Sequence, residues 1–284
     1  MSFFVTPGPD ATTLINSLLE FPLGDLRNIV FNGDHECPGL FDLGYSVAHN
    51  VANPICQWPD QGSVFSTGKA IDLMDQDSSQ NNHTFGWVGD AAINSFGAHP
   101  SYDTCSLSFE FQCLDPYANY FSIDYVFASE WYNEAAGSDL SYAGRMGILL
   151  NDVNIALVPY TIDAVSVSSV NHVENSAFYV NNDPRSGNES HPMFEPDGFT
   201  TCLTAGGLLN EGWNSLKIGV VDVGSDVVGL DTSLFLKEGS FQCSRVPPIL
   251  YPIPVPSSAP TQCNFFGQAC GGKNVYIISY ALSF

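Results

Sequence analysis

The sequence predicts a mainly β protein, a β-sandwich of jelly-roll-like character with an N-terminal helix and long disulfide-tied loops. Three observations carry that expectation. Short apolar runs recur between Gly, Pro, Asn and Asp, and some alternate strictly, as Leu107, Phe109 and Phe111 do. Only 13% of residues are charged against 44% hydrophobic, with 25 Gly and 18 Pro, the usage of a turn-rich all-β chain. Eight cysteines, an even number with no CxxC pair, point to disulfides and away from a zinc knuckle.

The elements follow in order. A helix is expected over residues 11–20, where Leu14, Ile15, Leu18 and Leu19 recur at helical spacing behind a cap at Asp10 or Thr12. A short strand at 28–32 ends at Gly33-Asp34. Residues 34–62, rich in Gly, Pro, Asn and Asp, read as a long ordered loop tied by Cys37 and Cys56. Val64-Phe65 leads into a turn at Ser66-Thr67-Gly68. Residues 74–102 are mostly polar, with Trp87 and Phe96 expected to fold back on the core. Strands are then expected at 106–113, 121–128, 145–150, 154–159, 165–170, 177–180, 199–205, 216–221 and 232–235, with a hairpin turn at Asn151-Asp152. No internal repeat of propeller or solenoid length is visible.

Composition divides the chain further. Residues 1–243 form the sandwich domain. Residues 244–262 are a Pro-rich linker, because Val246-Pro-Pro-Ile-Leu-Tyr-Pro-Ile-Pro-Val-Pro256 is too dense in proline for a helix or strand interior. Residues 263–284 are a Cys-containing, strand-like tail whose apolar run from Val275 to Phe284 must be covered, either by this domain or as an added strand on a neighbouring subunit. That second option makes a homo-oligomer or filament through the tail an expected partner arrangement.

Charge narrows the functions. Thirty acidic residues against eight Lys plus Arg give a formal net charge of −22, which repels phosphate backbones and anionic lipid. Nucleic-acid binding is excluded on that ground, and no apolar run approaches membrane-spanning length. The remaining partners are cations, neutral glycans and protein surfaces. The sequons Asn82-His-Thr84 and Asn188-Glu-Ser190 join the cysteines in predicting an extracellular, cell-surface glycoprotein. Local spacing favours Cys105 with Cys113 and Cys263 with Cys270, and Cys37 with Cys56 and Cys202 with Cys243 would complete a set, although sequence leaves connectivity open.

Two acidic groups stand where apolar strands end: Glu130, Asn133 and Glu134 after the run from Tyr125, and Asp222, Asp226 and Asp231 after the run 216–221. Acidic groups gathered at strand ends repel unless a positive charge offsets them, and outside the cell Ca²⁺ supplies it with oxygen ligands. Glu130, Asp222 and Asp231 are the best-placed ligands. The bland alternative is that these carboxylates cap turns and accept main-chain N–H groups. A hydrolase would use two of them as a glycosidase pair, but no pair is marked. The six histidines, at 35, 49, 83, 99, 172 and 191, form no HExxH, and no GxSxG elbow is present. A lectin would need an exposed aromatic among Trp58, Trp87, Trp131 and Trp213, and Trp131 stands beside the first acidic group.

The run Tyr125-Val-Phe-Ala-Ser-Glu-Trp-Tyr-Asn-Glu134 resembles the YVFASEEYNE hallmark of a secreted domain family called choice-of-anchor L. Further blocks occur in the same order: Leu14-Ile-Asn-Ser-Leu-Leu19, Asn28-Ile-Val-Phe-Asn-Gly33, Val64-Phe-Ser-Thr-Gly68, Asn154-Ile-Ala-Leu-Val-Pro159, Asp197-Gly-Phe-Thr-Thr-Cys-Leu-Thr-Ala205, Lys217-Ile-Gly-Val-Val-Asp-Val-Gly224, and Asp231-Thr-Ser-Leu-Phe-Leu-Lys-Glu-Gly-Ser-Phe241. The hallmark Glu-Glu is Glu130-Trp131 here, one carboxylate fewer, and Ser141-Tyr-Ala-Gly-Arg-Met-Gly147 replaces the family's Asn-Asp and aromatic strand. The resemblance implies an extracellular module of surface or adhesive proteins with no established reaction. The expected function is therefore a non-catalytic structural or adhesion module, Ca²⁺-stabilised and self-assembling. A carbohydrate-binding module, with Trp131 against the ligand, is the alternative, and a glycan-active hydrolase the more distant one.

Overall fold

The structure is a computed structural model that describes residues 3–20, 23–42, 60–74, 83–95, 99–132, 142–183, 194–224 and 230–248. The chain divides into two units, Met1–Pro252 and Ile253–Phe284, and the second lies outside the described residues, as do Asn82 and Asn188 of the two sequons.

Helix α1 (Ala11–Leu18) begins where Asp10 Oδ1 accepts the Thr13 N–H at 2.7 Å. Its buried face is Leu14, Ile15 and Leu18, and the chain leaves helical geometry at Leu19. The strands of the described residues form two antiparallel sheets. The larger runs in the order β1 (Phe4–Pro7), β3 (Pro38–Asp42), β4 (Gln61–Ser66), β13 (Thr232–Lys237), β6 (Tyr120–Ser129), β10 (Gly198–Thr200) and β9 (Tyr179–Asn181), with β11 (Leu203–Leu208) and β14 (Gln242–Ser244) also paired to β6. The smaller runs β2 (Leu26–Asn32), β5 (Ser101–Phe111), β12 (Asn214–Val223), β7 (Arg145–Leu150) and β8 (Val153–Asn154).

The sheets face each other across one core. Leu107, Phe109 and Phe111 of β5 with Leu216, Ile218 and Val220 of β12 pack on Phe121, Ile123, Tyr125 and Phe127 of β6 and on Leu234 and Leu236 of β13, and the α1 face joins them. The outer face of the larger sheet is covered too, by Phe3, Leu73 and Phe194 over Phe41, Val64, Val126, Ala128, Phe199 and Phe235. Strands β4, β6 and β13 are thus buried on both faces. That is why Tyr125-Val-Phe-Ala128 is an unbroken apolar run and not an alternation.

Several expected elements change. Fourteen strands are found among the described residues, where about ten were expected. Residues 34–62 are not loop throughout, since β3 lies within them and pairs with β1 and β4. The expected strand at 154–159 shrinks to Val153–Asn154, because Asn154 Oδ1 accepts the Ala156 N–H at 3.1 Å and turns the chain. Residues 165–170 are turns: Ser169 Oγ accepts the Ser166 N–H at 2.9 Å and donates to the Ala164 carbonyl at 2.7 Å, competing with a ladder. The expected strand at 199–205 is two strands, β10 and β11. Asn151 and Asp152 both take positive φ, 50° and 65°, which is the two-residue hairpin turn the sequence implied. Trp87 does not fold inward and is 45% exposed.

Disulfide connectivity also departs from local spacing. Cys37 bonds Cys105, and Cys113 bonds Cys243, each with Cα atoms 6.0 Å apart. Cys105 cannot bond Cys113 because β5 holds the intervening chain extended, at roughly 3.3 Å per residue. Both bridges cross between sheets, from β5 or just beyond it to the start of β3 and to β14. Cys202 is disulfide-bonded as well, so its expected partner Cys243 is taken by Cys113 and its own partner lies outside the described residues.

At the β2 edge, the register of β2 on β5 shifts between Arg27 and Val30, with Asn28 at φ 53°. Consecutive strand residues normally point to opposite faces, and this bulge lets both reach one partner. Arg27 Nε donates to Glu110 Oε2 at 2.6 Å, Asn28 Nδ2 donates to Oε1 at 2.9 Å, and the guanidinium lies 3.8 Å from the Trp213 ring centre. Bonds from Asn28 and then Arg27 hold the Glu110 carboxyl below its ordinary value. A lowered folded-state value stabilises above the unfolded value and loses that contribution as pH falls through the folded one. Melting curves between about pH 3 and 7 should therefore show a shallower acid limb for Arg27→Ala than for the unaltered chain. The effect should be small, because the cluster is exposed.

Candidate metal centre at the acidic rim

Strand ends from both sheets converge on one rim. On the larger sheet, Ser129 and Thr232 stand opposite each other with hydroxyls 3.0 Å apart. Thr67, just past β4, accepts the Thr232 N–H at 3.0 Å and hydrogen-bonds the Asp222 carboxylate at the end of β12. The Glu130 N–H donates to the Asp231 carbonyl at 3.0 Å, and both residues are buried. Asp222, Asp231 and Glu130 are thus brought to the same end of the sandwich. Asn133, Glu134 and Asp226 lie outside the described residues.

Residues 83–88 form a strap over this end. His83 N–H points at Asp231 Oδ2 at 3.4 Å. Phe85 and Trp87 N–H donate to the two oxygens of Asp103, at 3.2 and 2.8 Å, while the Asp103 N–H donates to the Trp87 carbonyl at 2.9 Å. Val88 then bridges to Tyr102 of β5. Two glycines make the close approach possible. A Cβ on Gly68 would fall on the Asp231 carboxylate, and one on Gly144 would strike the Thr232 hydroxyl and lie 3.3 Å from Asp222 Oδ1.

The electrostatics are one-sided. Burial pushes the Asp222 carboxyl well above the usual range, opposed by the Thr67 hydroxyl and reinforced by the charge of Asp103. Asp231 is likewise pushed well up, by burial first and then by Asp222, against the His83 N–H, with Glu195 and Asp72 adding repulsion. Among the described residues, ion pairs join Arg27 to Glu110, Lys69 to Glu36, Lys217 to Asp90, Lys237 to Asp124 and Arg245 to Asp115, and no Lys or Arg pairs with Asp222 or Asp231. A second acidic group, Asp34, His35 and Glu36, brings ligand atoms within 4.8 Å of one another. It is a surface turn already engaged, since Asp34 accepts the Glu36 N–H and Glu36 pairs with Lys69.

The rim includes residues the sequence reading did not single out: Asp103, Asp72, Glu195 and the strap. Asp103 stands two residues before Cys105, but a register shift with φ 44° at Asp103 breaks the alternation there, so the strand period alone does not place it. Trp131, expected against a ligand, is half-buried against the core with its indole Nε1 enclosed.

The sequence model of the choice-of-anchor L domain matches residues 12–242, which takes in Thr67, Gly68, Asp103, Glu130, Asp222 and Asp231. The chain belongs to the choice-of-anchor L family. No curated protein and no solved structure matches it. Choice-of-anchor L domains are surface-associated modules, generally without enzymatic activity. Among the described residues of this choice-of-anchor L chain, no helix is long and apolar enough to cross a membrane.

Proposed function

We propose that the chain is a non-catalytic structural or adhesion module of the extracellular surface, stiffened at its acidic rim by Ca²⁺ and joined to copies of itself through residues 263–284. One observation carries this reading: a family of surface modules is represented here by a sandwich whose two sheets are covalently joined twice, once from within β5 and once from just beyond its end. Such a framework suits persistence and contact more than the loop motions that many enzymes need. The rim supports it, since the Asp231 and Asp103 carboxylates accept main-chain N–H groups from the strap. Self-assembly rests on the apolar run 275–284, which favours burial against another surface. Light scattering after size exclusion tests it. The full chain, kept in chelator, should elute as an assembly and the chain lacking residues 262–284 as a monomer. Identical monomers from both would refute assembly through the tail.

A further inference from the structure

We propose that a hard divalent cation, Ca²⁺, is anchored between the Asp222 and Asp231 carboxylates and that its binding fastens the 83–88 strap across the two sheets. This deepens the reading of a Ca²⁺-stiffened rim by giving the ion its anchor and its mechanical consequence. Acidic residues grouped on a surface would not suffice. Here the Oδ1 atom of each of these two aspartates is enclosed with no hydrogen-bond partner, in residues only 5% exposed. A buried carboxylate oxygen without a donor is strongly disfavoured, and two that repel each other are more so. Either a proton or a cation must answer them.

Four features favour the cation. Thr67 adds a hydroxyl beside Asp222, so oxygen ligands come from both sheets. Gly68 and Gly144 leave the carboxylates room that any Cβ would occupy. Glu195 and Asp72 lie close enough to extend the negative field over Asp231. Ca²⁺, which takes about six to eight oxygens in flexible geometry, suits carboxylates joined by hydroxyl and carbonyl groups, where Mg²⁺ demands a stricter octahedron. The strap is the remaining link. His83 already touches Asp231, and Phe85 and Trp87 hold Asp103, so an ion drawing Asp231 towards Asp222 draws the strap with it.

The test uses the full chain freed of metal by chelation and desalting, with CaCl2 as the probe. Calorimetric titration should show one site, and a hundredfold excess over Kd should raise the melting temperature by roughly 5–10 °C. Hydrogen exchange at residues 83–88 should slow on the order of tenfold on adding Ca²⁺. Asp222→Asn and Asp231→Asn should each weaken binding at least about tenfold, the effect of removing one charged ligand. Without Ca²⁺ at neutral pH, Asp222→Asn should melt no lower than the unaltered chain, because it relieves the repulsion, and a merely damaged fold would melt lower. Absence of any Ca²⁺-dependent shift in the unaltered chain overturns the proposal. So does binding that persists in both variants, exchange protection that falls elsewhere, or a response to Mg²⁺ without one to Ca²⁺. Because assembly is measured in chelator, a monomeric full chain would refute the tail reading and leave the ion's anchor untouched.

Discussion

Reducing the two bridges that join the sheets is expected to unfold the sandwich. Cys37–Cys105 spans 68 residues and Cys113–Cys243 spans 130, so on the chain-entropy account each restricts the unfolded chain by about 4–5 kcal/mol. The two loops do not overlap in sequence, which lets their effects approach a sum. A domain of this size is stable by roughly 5–15 kcal/mol in total, so losing both consumes most of that margin. Urea titration with and without reductant and alkylation measures it. The reduced chain should unfold at much lower urea or show no folded baseline. Replacing Cys113 and Cys243 together with Ala should cost more than replacing Cys37 and Cys105, because the longer loop regains more freedom. An unchanged midpoint after complete alkylation would show that packing alone holds the sheets.

Truncating Phe241 is expected to cost nearly as much as losing one of these bridges. Its ring lies 4.8 Å from Phe121, 5.0 Å from Phe111 and 6.3 Å from Phe109, the first two edge-on, so it joins β5 and β6 from opposite sheets. It is 5% exposed, and its N–H donates to the Leu18 carbonyl of α1 at 3.0 Å. Phe241→Ala removes the ring and leaves a cavity that three phenylalanines fixed in strands cannot collapse to fill. The expected loss is about 3–5 kcal/mol by chemical denaturation. A loss under about 1 kcal/mol would mean that the surroundings close over the gap.

What the sequence disclosed follows from which interactions are local. The α1 stripe, the β5 alternation and the Asn151-Asp152 turn depend on neighbours a few residues away, and each was readable. Strands β1 and β3 were not, because Phe4–Pro7 and Pro38–Asp42 carry prolines and gain stability only by pairing with each other and with β4. The apolar segment 165–170 looked like a strand because its Val residues face the core, yet its serines bond one another and the nearby backbone. Disulfide pairing was misread for the same reason: strand spacing, not sequence spacing, decides which sulfurs meet. At the rim, Asp222 and Asp231 were legible as acids flanking apolar strands. The strap was not, since its contacts are main-chain N–H groups carrying no residue signature.

The placement of Cys113 and Cys243 governs how pulling force would travel. Tension applied to the chain beyond Ser244 meets a covalent junction at Cys243 and passes straight to the end of β5 in the opposite sheet. The short β14 therefore cannot be peeled from β6, and the 130-residue interval behind the bridge is shielded from extension while the bridge stays oxidised. A tether leaving from this corner would load both sheets at once instead of unravelling one of them.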